Sequence, residues 1–256
     1  MARLHDTHCH VDLYPDPGEV IAATELAGVY TVAVTNVPSV FPRCKELLSG
    51  RRFLRPALGL HPELAREYHT ELGLFAALLE ETRYVGEVGL DFTTRDPAER
   101  RLQREVFGRV LELAAGRGKI LTVHSRRAAQ DVVEMVGPAY PGRVILHWYS
   151  GPLGVLERAL ANGLYVSVNP AMLRSQRGQE VIRSIPLGRM LLETDGPFVR
   201  SGAGPAQPRD LAAVVEGVAD LLGLEAIRVG RAAHANFRQL LHDEPPADAG
   251  CVSGPE

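Results

Sequence analysis

The chain is 256 residues long and 45% hydrophobic, enough for one large core, and barrels of about 250 residues commonly form single domains. Its net charge of −3 removes any global pull toward nucleic acid or an anionic membrane, and Cys9, Cys44 and Cys251 are too few and scattered for a disulfide framework or a cysteine zinc site. No apolar run suits a membrane span or a signal peptide, so the expected compartment is the cytoplasm, with no membrane partner.

Strand-like and helix-like stretches alternate along the chain. A strand is predicted over Arg3–His8 and a helix over Gly18–Ala27, then a strand over Tyr30–Asn36 and a helix over Arg43–Leu48. Next come Leu54–Leu60 (strand), Leu72–Glu81 (helix), Tyr84–Leu90 (strand) and Pro97–Ala115 (helix). Ile120–His124, Val144–His147, Leu164–Val168 and Met190–Thr194 are strands, separated by helices at Ala128–Val136, Pro152–Ala161 and Gly178–Ile185. Two further helices, Asp210–Leu222 and Ile227–Leu241, follow. Gly28, Gly50, Gly116, Gly137 and Gly163 stand where helices should close. The strand runs are nearly continuously apolar, as parallel strands covered by helices must be. With no break in composition, the pattern predicts one α/β domain over residues 1–242, a (β/α)₈ TIM barrel. The tail from Asp243, rich in Pro, Ala, Asp and Gly, is expected to be disordered.

Chemistry-bearing residues gather at the ends of the strand runs. In HDTHCH, Asp6, His8 and His10 alternate, so the two imidazoles point the same way on a strand. Paired imidazoles suit a divalent metal better than a core, although a lone HxH is equally often two satisfied surface histidines. His61 ends the third strand, Glu87 and Asp91 flank the end of the fourth, and His124, His147 and Asp195 end the fifth, sixth and eighth. In a (β/α)₈ barrel these ends face one another across the mouth, so distant residues would converge. One stray histidine there is chance; recurrence at strand after strand is not. Arginines also cluster, at Arg51–Arg52, Arg100, Arg101 and Arg104, and Arg126–Arg127. With Lys45 and Lys119 the only lysines, most of these are expected on solvated helix faces.

DTHCH, GLHP around His61, GEVGLDF around Glu87, VHSR around His124, HWYSG around His147 and LLETDGPF around Asp195 resemble, in order, the motifs of the TatD-like metal-dependent hydrolases. That family belongs to the amidohydrolase-like barrels and includes deoxyribonucleases. The resemblance runs from Asp6 to about Leu241, where AAHANFRQLL is similar to the family's closing helix. It implies two divalent ions: one held by His8, His10 and Asp195, the other by His124 and His147, with Glu87 bridging. Related amidohydrolases bridge with a carboxylated lysine; GEVGLDF has none, so the glutamate takes that role. Mixed imidazole and carboxylate ligands suit zinc, manganese or magnesium.

The resemblance implies a metal-activated water, with Asp195 both ligand and proton acceptor, and His61 contacting substrate by binding phosphate or donating a proton. His61 could instead be a structural histidine before Pro62. Arg126 could grip a phosphate or point to solvent. Glu193 and Asp91 are expected to support ligands, and Asp6 to hydrogen-bond a ligand histidine. Trp148 and Tyr149 could stack on a base, but Trp148 is expected to pack under a loop. After Asp195 the stretch GPFVRSGAGPAQPRDL departs from the family pattern, which puts substrate identity in doubt while leaving the metal positions intact. The expected function is a metal-dependent deoxyribonuclease favouring single-stranded DNA or 3′ ends, with RNA a second candidate substrate. The alternatives are hydrolysis of an amide, lactone or aminoacyl ester at the same metals, and a non-catalytic barrel that binds nucleic acid or a partner.

Overall fold

The computed structural model describes residues 3–242; the tail from Asp243, with Cys251, lies outside them. Its first half runs β1 (His5–Cys9), α1 (Pro17–Ala27), β2 (Tyr30–Val34), α2 (Phe41–Leu47), β3 (Leu54–Leu58), α3 (Ala65–Tyr68), α4 (Leu72–Leu78) and β4 (Tyr84–Gly89). It continues with α5 (Pro97–Ala114), β5 (Ile120–His124), α6 (Ala129–Val136), β6 (Arg143–His147), α7 (Leu153–Ala161) and β7 (Tyr165–Val168). Then come α8 (Pro170–Arg174), α9 (Gln176–Ser184), β8 (Met190–Leu192), a small hairpin β9 (Arg200–Ser201) and β10 (Gly204–Pro205), α10 (Leu211–Leu222) and α11 (Ala226–Leu241). Strands β1 to β8 pair in parallel, each with its sequence neighbour, and β1 closes on β8 at Asp6 and Leu192. The expected (β/α)₈ barrel is the observed fold.

Two apolar layers hold the barrel. Outward-facing strand residues such as Val85, Val88, Leu121 and Val123 pack beneath the helices against Phe107, Val110 and Val132. Inside, Tyr84, Ile120 and Tyr165 at the strand starts meet Phe237 and Leu240 of α11, which closes the N-terminal end. Each fully buried side chain of this kind contributes about 1.5–3 kcal/mol. Local chemistry fixes the helix ends: the Asp16 and Asp96 carboxylates accept backbone N–H bonds from Glu19 and Ala98, and Gly28, at φ 67°, ends α1 in a left-handed cap. Two half-buried arginines of α5 are engaged: Arg104 pairs with Asp131, and Arg100 donates to the Thr94 and Phe92 carbonyls.

Several boundaries differ from expectation. β1 starts and ends later than predicted, β8 stops at Leu192, and the predicted 72–81 helix passes into a 3₁₀ turn at Leu79–Glu81. The chain leaves β8 early because the backbone turns over to put Asp195 at φ 48°. In β4 the register with β5 shifts: Val85 pairs with Leu121 and Val88 with Val123, so three residues of β4 span two of β5. Val85 and Val88 both face the helices, and Glu87 between them turns into the barrel. Gly59, just past β3, lets the backbones close here; a Cβ on it would lie 1.7 Å from the Thr35 carbonyl oxygen and 2.6 Å from the Glu87 nitrogen. Glu87 is thereby pinned by its N–H to the Thr35 carbonyl (3.0 Å) and its carbonyl to the Leu60 N–H (3.0 Å).

Candidate metal centre

Glu87 stands at the centre of a ring of imidazoles at the C-terminal mouth. Its Oε1 lies 2.6 Å from His124 Nδ1, 2.9 Å from His147 Nε2 and 3.4 Å from His61 Nε2. Its Oε2 lies 3.2 Å from His10 Nε2 and 3.5 Å from His8 Nε2. Asp195 Oδ1 sits 3.7 Å from His10 Nε2 and 3.8 Å from His8 Nε2. The residues expected as metal ligands, from β1, β4, β5, β6 and the turn after β8, are therefore in one place. Although paired imidazoles suit a core poorly, His8 and His10 are fully buried, because each is turned toward this polar centre.

Neighbouring groups hold these rings in position. His8 Nδ1 meets the Thr122 hydroxyl at 2.7 Å, and His124 Nε2 meets Asp91 Oδ2 at 2.7 Å. Asp91 is itself fixed by the Thr93 N–H and hydroxyl. Behind His147, the buried Glu193 carboxylate lies 3.5 Å from Nδ1 and accepts bonds from the Trp148 N–H, Asn169 Nδ2 and the Ser167 hydroxyl. The Asp195 N–H donates to the His8 carbonyl and the His10 N–H to the Gly196 carbonyl, tying the turn after β8 to β1. Asp6 bonds the ligand residue His8, as expected, but through the His8 backbone. Its carboxylate accepts from the backbone N–H groups of His8 and Thr194 and from the Thr194 hydroxyl, not from an imidazole, because these donors surround it on the closing β1–β8 seam.

The charges are strongly coupled to burial. Burial alone would raise the Glu87 carboxyl, but the charges of His61 and His147, with hydrogen bonds from His10 and His124, hold it well below the usual carboxylate range. Burial pushes Asp195 well above that range, and the nearby Glu193 and Glu87 carboxylates add to the rise against His147. His8 is driven well below the usual imidazole range by burial and by His147. His147 goes the other way: burial lowers it, but Glu87 and Glu193 raise it well above.

The donor set fits divalent cations. His8 Nε2 and His10 Nε2 approach to 3.3 Å, and His124 Nδ1 and His147 Nε2 to 3.4 Å. Nitrogens at such range repel unless a proton or cation lies between them. The buried Nδ1 of His10 has no hydrogen-bond partner among the described residues, and His147 Nδ1 faces only the Glu193 carboxylate at 3.5 Å. Ligand atoms fall within 4.8 Å of one another in three sets: His8, His10 and Asp195; His8, Glu87 and His147; and His61, Glu87 and His124. Mixed imidazole and carboxylate donors of this kind suit zinc, manganese or magnesium, and a shared carboxylate between neighbouring sets offsets repulsion between cations.

Above this floor opens a cavity of about 470 Å³, lined also by Ser125, Arg126, Trp148 and Phe198. Arg126 is exposed on its wall. His61 is mostly buried; its Nδ1 accepts from the Glu63 N–H at 3.2 Å while Nε2 faces Glu87. Trp148 differs from expectation. Tyr149 packs inside, 1% exposed, with its hydroxyl on the Pro152 carbonyl, whereas Trp148 is 38% exposed and lines the cavity. The left-handed backbone at Trp148, φ 39°, sends consecutive side chains to these different places. Thr122, Thr194, Ser167, Asn169 and Phe198 were not picked out from the sequence. Thr122 had a signal, since it shares strand parity with His124 two residues on.

Comparison with known proteins agrees with this geometry. The human protein named deoxyribonuclease TATDN3 is 26% identical over 250 residues, covering 88% of this chain and 90% of its own. A 3′-5′ ssDNA/RNA exonuclease TatD from Erwinia billingiae is 30% identical over 243 residues, covering 88% and 92%. The crystal structure of YJJV, a TatD homolog from Escherichia coli, superposes with a TM-score of 0.83 at 27% identity, over 95% of this chain and 99% of that one. The sequence profile of the family described as TatD related DNase matches residues 5–242, and the chain belongs to that family.

Proposed function

We propose that this protein is a metal-dependent phosphodiesterase acting on DNA, with single strands or 3′ ends preferred and RNA a second substrate. The convergence of His8, His10, Glu87, His124, His147 and Asp195 at the floor of a concave cavity with Arg126 on its wall carries this reading. The relatives named as deoxyribonuclease and as ssDNA/RNA exonuclease support it. A recessed mouth admits a strand end more readily than a duplex.

In this reading His8, His10 and Asp195 would hold one divalent ion and His124 and His147 the other, with Glu87 as a shared carboxylate. Such ions, when bound, polarise a phosphoryl oxygen and make water acidic enough to attack near neutral pH. The chain's own groups do the rest. Glu87 stays ionised among the imidazoles and fixes their orientation. Asp195, at the edge of the floor, accepts the proton of the attacking water and returns it to the leaving oxygen. Thr122 and Asp91 keep the His8 and His124 rings from turning away. His61, between Glu63 and Glu87, faces the reacting phosphate, and the Arg126 guanidinium grips a phosphate at the wall.

The test is a hydrolysis panel on magnesium-, manganese- and zinc-loaded protein: a single-stranded oligonucleotide, its duplex, an RNA of the same sequence, and aryl ester, lactone and amide substrates. The reading expects the single strand to be shortened and a chelator to stop the reaction. Turnover of an ester, lactone or amide with the oligonucleotides untouched would refute it.

A further inference from the structure

Trp148 is the only tryptophan of the chain, and it is out of place for a structural residue. It follows His147 directly, about 3.8 Å further along the backbone, so it stands beside the metal-ligand floor. Its indole lines the cavity and is 38% exposed, while the adjacent Tyr149 does the packing. Its backbone sits at φ 39°, a conformation that bulky residues avoid. That conformation is held by the fully buried Glu193, whose Oε1 accepts the Trp148 N–H at 3.0 Å. Backbone strain of this kind persists where surrounding groups impose it, and it gathers at ligand sites. Phe198, 60% exposed on the turn after Asp195, presents a second aromatic ring to the same cavity, perpendicular to the His10 ring with centres 4.9 Å apart. Polar groups on the floor and wall thus meet aromatic faces at the mouth, the two surfaces that a phosphate joined to a flat ring requires.

We infer that Trp148 is a substrate-specificity residue whose indole stacks on the nucleobase adjoining the phosphate over the metal-ligand floor. The inference deepens the nuclease reading and rests on it. A base within a duplex has both faces occupied by its neighbours, so a stacking wall selects unpaired nucleotides. It is also indifferent to sequence, since every base offers a π-face. Glu193 acts here through the backbone, as a positioning residue that holds the indole in the cavity.

The single tryptophan supplies its own reporter. Magnesium-loaded protein is titrated with dAMP and with 2-deoxyribose 5-phosphate, following tryptophan emission and inhibition of oligonucleotide hydrolysis. dAMP should quench emission saturably and inhibit; the base-free phosphate should inhibit roughly five- to a hundredfold more weakly, the range of one lost base stack, and leave emission unchanged. W148A should raise KM for a single-stranded oligonucleotide by a similar factor, with kcat within about twofold and bound metal unchanged, and W148F should restore most of the affinity. Oligonucleotide hydrolysis with wild-type KM in W148A, or saturation by dAMP without change in emission, would overturn the stack and leave the nuclease reading standing. Quenching by dAMP without oligonucleotide hydrolysis would uphold the stack and refute the nuclease. Neither quenching nor hydrolysis would refute both.

Discussion

Glu193 offers the sharpest separation of hydrogen bonding from charge. Its fully buried carboxylate accepts from the Trp148 N–H (3.0 Å), from Asn169 Nδ2 (3.0 Å) and from the Ser167 hydroxyl, and faces His147 Nδ1 at 3.5 Å. Glu193→Ala strands two donors that cannot turn elsewhere, the Trp148 N–H and the Asn169 amide. A buried donor left unpaired costs about 1–3 kcal/mol, so the loss should be about 2–6 kcal/mol, a large share of a domain's stability. Glu193→Gln differs. The Trp148 and Asn169 bonds both go to one oxygen, which the amide retains, and the Ser167 hydroxyl can turn round to accept from the new NH₂. One amide hydrogen remains without an acceptor, a cost of about 1–2 kcal/mol. The negative charge behind His147 is gone, however, and loss of such support typically lowers metal affinity about ten- to a hundredfold. Urea unfolding, read as a change in midpoint at constant slope, gives the stabilities, and competition with a chromophoric chelator gives the affinities. The reasoning fails if Glu193→Ala costs less than about 1 kcal/mol, or if Glu193→Gln is as destabilising as the alanine.

The remaining expectations concern other parts of the chain. Gly59→Ala would place a methyl 1.7 Å from the Thr35 carbonyl oxygen against immovable backbone; it should destabilise by about 3 kcal/mol or more, seen in the urea midpoint or as insoluble protein. His61→Ala should lower turnover while leaving metal content intact, whereas Asp195→Asn should lower turnover roughly a hundredfold or more and weaken metal binding, checked by kinetics with elemental analysis. His5, stacked on Phe237 at 4.3 Å between ring centres, is pushed down to about 3, first by burial and then by His234, Arg3 and Arg238. Neutral in the fold but protonated when unfolded, it gives stability that is whole above about pH 6.5 and lost as pH falls toward about 3. Between pH 6 and pH 4 the loss amounts to about 2.5 kcal/mol, so His5→Phe should flatten the acid limb of stability by that amount. An unchanged pH dependence in His5→Phe would contradict this.

Much of the barrel is legible in the sequence because parallel strands covered on both faces leave continuous apolar runs, as in Ile120–His124 and Tyr165–Val168. Glycines such as Gly28 and Gly137, both at positive φ, mark where helices stop. Residues destined for the mouth are readable for a related reason: a histidine at the end of an apolar run has no structural purpose there, and four such runs, ending at His8, His61, His124 and His147, feed one place. Short elements escape this logic. Ala65–Tyr68, Pro170–Arg174 and the hairpin at Arg200–Ser201 and Gly204–Pro205 are too brief to show a period. Contacts between strands escape it too. That Asp6 serves the backbone of His8 and Thr194 depends on how β1 meets β8, and that Thr122 supports His8 depends on packing across the barrel. The placement of Trp148 is hidden for a local reason: one residue at positive φ reverses which of two adjacent aromatics faces the cavity.

The proposed two-ion centre, held by the six converging side chains, is the feature on which hydrolysis would depend. Its most direct measurement is titration of chelator-stripped protein with manganese, following bound metal per chain and oligonucleotide hydrolysis together, for wild type and Glu87→Ala. The expected result is two ions per wild-type chain, hydrolysis that appears as the sites fill, and loss of at least one ion and of activity in Glu87→Ala. Two ions retained in Glu87→Ala, or hydrolysis in wild-type protein that proceeds with no ion bound, would contradict it.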